Sequence, residues 1–216
     1  MAIIKLYGSK HATCTRRVAT ILHELKVPFE LVEVDLMAGE HKFPAYLEKQ
    51  PFGQIPYIED EGFILYETRA ICRYIAAKYP ASGLIPTEPK ANAIFEQAAA
   101  AEITNFDPSA SKLVFETVLK PIFYKTAADA AVVEAQLAIL EKKLDAYDVI
   151  LSKHRYIAGE SLTLADLFHI PYAPLLAAGG SDIMTQKPNV AKWYKELIAR
   201  PSWLAYEGGV TTTTSY

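Results

Sequence analysis

Residues 54–71 read QIPYIEDEGFILYETRAI. Two short apolar runs stand on either side of an acidic stretch that ends in Gly62. Runs of this length, broken by a glycine, read as an antiparallel hairpin. Directly after them, Ala70/Ile71, Tyr74/Ile75 and Lys78/Tyr79 recur at helical spacing over 68–79, so the stretch is β-β-α. Upstream, residues 2–7 (AIIKLY) form an apolar run suited to a buried strand. Residues 13–25 switch to helical spacing, with Val18, Ile21, Leu22 and Leu25 on one face. Residues 28–36 alternate again around Phe29, Leu31 and Val34. That is a β-α-β unit with parallel strands, and a short helical patch at 42–49 joins the two halves.

The order β-α-β-(α)-β-β-α is the thioredoxin-type arrangement and predicts a first domain over residues 1–80. Residues 80–89 (PASGLIPTEP) carry three prolines and one glycine, which places a linker at 81–89. Beyond it the chain shows only helical periods, at 90–106, 126–151, 163–177 and 187–199. One such stripe is Val133, Leu137, Leu140, Leu144 and Tyr147. Residues 90–216 are therefore expected to form an all-helical bundle, making the chain α/β plus all-α. The polar tail GGVTTTTSY (208–216) is expected either to be mobile or to lie along the surface.

The bulk numbers narrow the function. The chain has 216 residues, 51% hydrophobic and 22% charged, a globular composition. A net charge of −3 with no Lys/Arg run excludes a nucleic-acid partner. No apolar run is long enough to cross a bilayer, and MAIIKLYG lacks the length and cleavage site of a signal peptide. Cys14 and Cys72 alone make neither a disulfide framework nor a zinc site. The expectation is a reduced cytoplasmic protein with no metal and no membrane partner.

Several groups carry chemistry. A thioredoxin-like sheet places a proline, commonly cis, just before its third strand; Pro56 either fills that role, leaving the Ile55 N–H and C=O free to pair with an extended ligand, or merely begins a strand. Glu67 and Thr68 stand where the hairpin gives way to a helix. A ligand carboxylate suits the first-turn N–H groups and the Thr68 hydroxyl, and Glu67 suits an ammonium; the same two residues also suit helix capping. His41 and Lys42 precede a short helix and suit a second carboxylate. In SLTLADLF, Thr163 and Asp166 have capping-box spacing, flanked by Leu162 and Leu167. Asp166 is thereby read as a folding residue, with Asp166→Ala costing about 1 kcal/mol.

These pieces suit a ligand with an α-amino acid end, a peptide centre and a far carboxylate. The chain resembles the soluble glutathione transferases, most closely the phi class of plants and fungi. TRRV (15–18), GEHK (39–42), PFGQIP (51–56) and YETRAI (66–71) carry the resemblance in the first domain. NFDPSASKLVFE (105–116), SLTLADL (161–167) and RPSW (200–203) carry it in the second. The resemblance implies glutathione as co-substrate and a homodimer. His41 and Lys42 would meet the glycine carboxylate, Gln54, Ile55 and Pro56 the cysteinyl backbone, and Glu67 and Thr68 the γ-glutamyl end. It also implies a hydrophobic acceptor pocket between the domains near Lys10, His11, Met37, Phe115 and Leu119. Phe115 and Leu119 are spaced to share a helix face and suit core packing equally well.

The family's catalytic hydroxyl is a serine at the start of the first helix. That position holds Ala12. Thr13 is the replacement chosen here, although it also suits an N-cap. His11 and Tyr7 are the other groups with a polar atom nearby. Cys14 falls two residues after the position used by cysteine-type members, four before Val18, and is expected to face the core. The implied activity is conjugation of glutathione to hydrophobic electrophiles, with hydroperoxide reduction as a second reaction. The loss of the serine gives as the alternative a ligandin-type binder of glutathione and hydrophobic metabolites; a thiol-disulfide reductase using Cys14 is a third reading, which the register of Cys14 argues against.

Overall fold

The computed structural model describes residues 3–216. The chain forms two compact units, residues up to 82 together with 200–216, and residues 83–199. In the first unit, β1 (Ile4–Gly8) alternates, with Ile4, Leu6 and Gly8 buried and Lys5 exposed. Ala2, read as the first residue of this strand, lies outside the described residues. Helix α1 (Thr13–Glu24) buries Val18, Ile21 and Leu22, as its spacing requires, and also Arg17. Strand β2 (Phe29–Glu33) runs parallel to β1, with Ile4 opposite Phe29 and Gly8 opposite Glu33. After α2 (Pro44–Leu47) come β3 (Tyr57–Asp60) and β4 (Phe63–Tyr66), which form the hairpin. Its two turn residues, Glu61 and Gly62, have φ values of 53° and 86°, the backbone that lets a two-residue loop follow the strand twist. β3 is antiparallel to β1, so the sheet order is β2-β1-β3-β4. Helix α3 (Thr68–Lys78) is fastened back to the hairpin through buried Asp60, which accepts from Tyr74 (2.7 Å) and Lys78 (2.5 Å).

The C-terminal segment, counted with the helical domain in the sequence reading, packs as part of this first unit. The reason is polar. Arg200 and Ser202 both donate to the Glu24 carboxylate at the end of α1. The Arg16 guanidinium lies 4.0 Å over the Trp203 ring, a cation–π geometry. After α10 (Pro201–Leu204) the tail pairs with β2: Phe29 and Thr213 exchange backbone hydrogen bonds at 2.8 and 3.0 Å.

The second unit contains α4 (Pro89–Ala101), capped by the Glu88 carboxylate, α5 (Asp107–Val114), α6 (Ala130–Leu151), α7 (Leu164–Leu167), α8 (Ala173–Ala178) and α9 (Pro188–Ile198). Wider π-helical segments, 102–106 and 115–124, flank α5. The periodic stretch 163–177 is divided between α7 and α8. Helix α5 and the π segment after it carry Pro108 and Pro121, which blur the 3.6-residue period. Along α6, Leu140, Leu144 and Tyr147 are buried, whereas Val133 and Leu137 are half-buried.

Thr163 and Asp166 form the expected capping box, and the structure enlarges Asp166's part. Its carboxylate, fully buried, accepts from the Ile157 and Thr163 N–H groups, the Thr163 hydroxyl and the Trp193 indole, all at 3.0 Å. Burial pushes this carboxyl up, against the pull of the four donors. His169, also buried, continues the network through the Tyr147 hydroxyl at 3.0 Å.

Two outcomes are expected. Because several buried donors lose their acceptor, Asp166→Ala costs at least about 3 kcal/mol rather than the value of a cap alone; chemical denaturation measures it. At Glu24, burial raises the carboxyl, but Arg200 and Ser202 more than offset this and leave it below the usual range. A depressed carboxylate contributes stability that is full above the unfolded value, about 4.3, and disappears as pH falls through the folded one. Glu24→Gln should therefore flatten the loss of stability below about pH 4.5, and an unchanged acid limb would count against this coupling.

Candidate functional site

Strand register gathers the candidate residues of the first unit at one end of the sheet. Tyr7 lies opposite Tyr57, and Tyr57 opposite Tyr66. The end of β1, the start of β3 and the end of β4 are therefore neighbours, so Gly8, Pro56 and Glu67 share a rim. The loop after β2 returns here as well, since the Val34 N–H donates to the Gly8 carbonyl at 3.0 Å.

Glu67 precedes α3 with φ 68° and ψ 109°, a backbone that costs a non-glycine residue of order 1 kcal/mol. Its carboxylate is exposed and does not cap the helix, so of the two roles read from the sequence the capping one falls away for this side chain. Thr68 is buried, and its Oγ1 accepts from Arg17 Nη1 at 3.1 Å. An oxygen that accepts from a guanidinium keeps its own proton for an anion. Arg17 was not singled out from the sequence. The available signal is a charged residue four before Ile21, on the apolar face of α1.

The Ile55–Pro56 bond is cis. Among the described residues, no hydrogen bond satisfies the Ile55 amide or carbonyl. Gln54 is exposed, and its carbonyl accepts from the Tyr46 hydroxyl at 2.8 Å, a second support that the sequence did not reveal. Lys42 Nζ donates to the carbonyls of Gly53 (2.7 Å) and Phe52 (3.3 Å), which docks residues 40–42 against the 50–54 loop and leaves one ammonium proton. A Cβ on Gly53, whose φ is +58°, would lie 2.8 Å from that ammonium. His41 is half-buried, and its Nδ1 is buried without a partner.

At the start of α1 the N-cap is Ala12, not Thr13, and no side chain caps the turn. Thr13 is the first helical residue, so the N-cap role considered for it falls away. The early N–H groups and the positive end of a 12-residue helix stay open to an anion. Tyr7 points elsewhere: burial and Glu59, 3.4 Å from its hydroxyl, both raise its pKa, and its ring stacks on Tyr57 at 4.4 Å. Cys14 is half-buried rather than in the core as its spacing suggested. Cys72 is fully enclosed, and burial pushes its thiol up to about 12. Of the acceptor candidates, Lys10, His11 and Met37 are exposed in the first unit. Phe115 and Leu119 belong to the second unit, on the π-helical segment, with Phe115 against the Tyr124 ring at 6.0 Å.

Comparison with known proteins identifies the family. Residues 6–83 match the glutathione S-transferase N-terminal domain, and residues 106–201 match the glutathione S-transferase C-terminal domain. Glutathione S-transferase PM239X14 of Arabidopsis thaliana is 46% identical over 200 residues, covering 90% of this chain and 91% of that protein. Glutathione S-transferase hmp2 of Hypomyces subiculosus is 40% identical over 206 residues, covering 94% and 96%. Among solved structures, glutathione transferase F7 of Populus trichocarpa superposes with a TM-score of 0.91 at 37% identity, covering 95% of this chain and 98% of that one. The chain belongs to the glutathione S-transferase family, alongside its plant phi-type members.

Replacing Glu67 separates strain from binding. Glu67→Gly relieves the positive φ while adding chain flexibility, so stability should stay within about 1 kcal/mol of the parent. Glutathione affinity, measured by calorimetry, should fall by about tenfold, the loss of one charge-assisted contact.

Proposed function

We propose that this chain is a glutathione transferase that binds glutathione along the rim formed by Gly8, Pro56 and Glu67. The observation that carries the reading is the clustering there of an Ile55 backbone unpaired among the described residues, an exposed Glu67 carboxylate that does not cap α3 and an Arg17-held Thr68 hydroxyl. In this reading the Ile55 N–H and C=O pair with the cysteinyl unit, beside Gln54 and the Pro56 ring. Glu67 meets the γ-glutamyl ammonium, and Thr68 with the first-turn N–H groups of α3 meets its carboxylate. Lys42 and His41 meet the glycyl carboxylate. Lys10, His11 and Met37 are the acceptor contacts that the first unit supplies. A homodimer and a cytoplasmic location accompany the proposal. Among the described residues no helix is long and apolar enough to cross a membrane.

The chemistry requires a thiolate. A thiol with pKa about 8.5 is only a few per cent ionised at pH 7. A sulfur held at the start of α1 would meet uncapped N–H groups, the helix dipole and the Thr13 hydroxyl, all of which favour the anion. The thiolate then forms a C–S bond at the electrophilic carbon. The leaving group departs with its bonding electrons, and the thiol proton goes to solvent. Attack of the same thiolate on a hydroperoxide oxygen breaks the O–O bond, releases the alcohol and leaves a glutathione sulfenic acid, which a second glutathione converts to the disulfide with loss of water.

Ala12 at the N-cap favours one second reading, a binder of glutathione and hydrophobic metabolites with little turnover. Steady-state conjugation of 1-chloro-2,4-dinitrobenzene discriminates the two. Turnover with a saturable dependence on glutathione is expected; tight glutathione binding without turnover would establish the binder. Thr13→Val should lower kcat/KM by about tenfold at pH 7, that is about 1.4 kcal/mol, and move the pH profile upward. Unchanged kinetics would pass the role to the backbone N–H groups or His11.

A further inference from the structure

The loop between β1 and α1 is tied from two sides. On one side the Ser9 hydroxyl donates to Glu33 at 3.0 Å, and the Lys10 N–H donates to both Glu33 oxygens at 3.2 and 3.1 Å. On the other, the Lys10 carbonyl accepts from the Val210 N–H at 2.9 Å. Both backbone groups of Lys10 are thus in use, one by the end of β2 and one by the C-terminal tail.

The tail also touches the next residue. Gly209 has φ +108°, and a Cβ built on it would stand 3.0 Å from His11 Cε1 and 3.1 Å from Nδ1. Only a glycine lets the chain cross the imidazole so closely while turning in this way. The segment is itself anchored downstream. Thr213 pairs with Phe29, and Thr212 Oγ1 accepts from the Leu31 N–H at 2.9 Å. The Tyr206 and Tyr216 rings stand edge-on to His23 at 5.6 and 5.0 Å. Val210 is buried. Nothing about a polar run of glycine and threonine requires such fastening for its own sake.

We propose that residues 209–213 are a positioning strap: they fix the Lys10–His11 loop that feeds α1, and through it set where the His11 imidazole meets the acceptor substrate. The proposal rests on the reading of His11 as an acceptor contact. It implies that the tail acts on the electrophile more than on the binding of glutathione, whose proposed contacts at Ile55, Glu67 and Thr68 receive, among the described residues, no bond from the tail.

The test is a double-mutant cycle on conjugation kinetics with Gly209→Ala and His11→Ala, varying 1-chloro-2,4-dinitrobenzene and glutathione separately. Gly209→Ala should change KM or kcat for the electrophile by about three- to tenfold, with glutathione KM within about twofold. In the His11→Ala background its effect should shrink below about twofold, because residues that act through one another are not additive. An effect of equal size in both backgrounds, or none while His11→Ala has one, overturns the proposal and leaves the transferase reading intact. If His11→Ala alone changes neither constant, the reading of His11 is what fails. Hydrogen exchange on a chain shortened after Gly208 then decides the strap: faster exchange at the Lys10 and His11 amides supports it, and unchanged exchange overturns it.

Discussion

The first unit depends on how closely β1, α1 and the Ile55–Pro56 loop approach one another at Gly8. A Cβ there would sit 2.5 Å from Thr15 Oγ1 and 3.2 Å from Pro56 Cβ. The missing side chain lets the first turn of α1 rest on the end of β1 while Pro56 closes from the other side. From that approach follow the open start of α1, the orientation of Ile55 and the register that brings Glu67 alongside. Close packing of this kind tolerates little added volume, so the rim at the start of α1 and the core of the sheet share one constraint.

Polar groups inside the two units act in the same spirit. Arg17 spends its burial on holding Thr68, and Asp166 gathers the loop at Ile157, the turn at Thr163 and the Trp193 indole. Removing a partner from an ion buried in this way leaves charge uncompensated in the interior. Each therefore fixes a backbone segment more sharply than apolar packing would, at Thr68 on the rim of the site and at α7 in the helical unit.

Much of this was legible in the sequence because it is local. The hairpin and its Glu61-Gly62 turn, the amphipathic face of α1 and the Thr163–Asp166 box are written within a few residues of one another. What stayed hidden joins distant positions: Arg17 with Thr68, Tyr46 with the Gln54 carbonyl, and Glu24 with Arg200. Side-chain hydrogen bonds between segments leave no period to read. Cys14 shows the opposite limit, since its spacing from Val18 implied the core, yet it sits at the helix start where the apolar face has not closed over it. The π-helical stretch after α5 departs from the 3.6-residue rule on which helix reading relies.

The pairing of Thr213 with Phe29 has a consequence for the molecule among its own copies. An outer strand offers a row of N–H and C=O groups to any extended chain that drifts past. Along β2 part of that row is already taken, by Thr213 at Phe29 and by Thr212 at Leu31. The strand at the other margin, β4, has only four residues, and short margins make poor templates. One border of the sheet is guarded by self-occupation and the other by brevity, so crowding favours the dispersed protein over sheet-to-sheet growth.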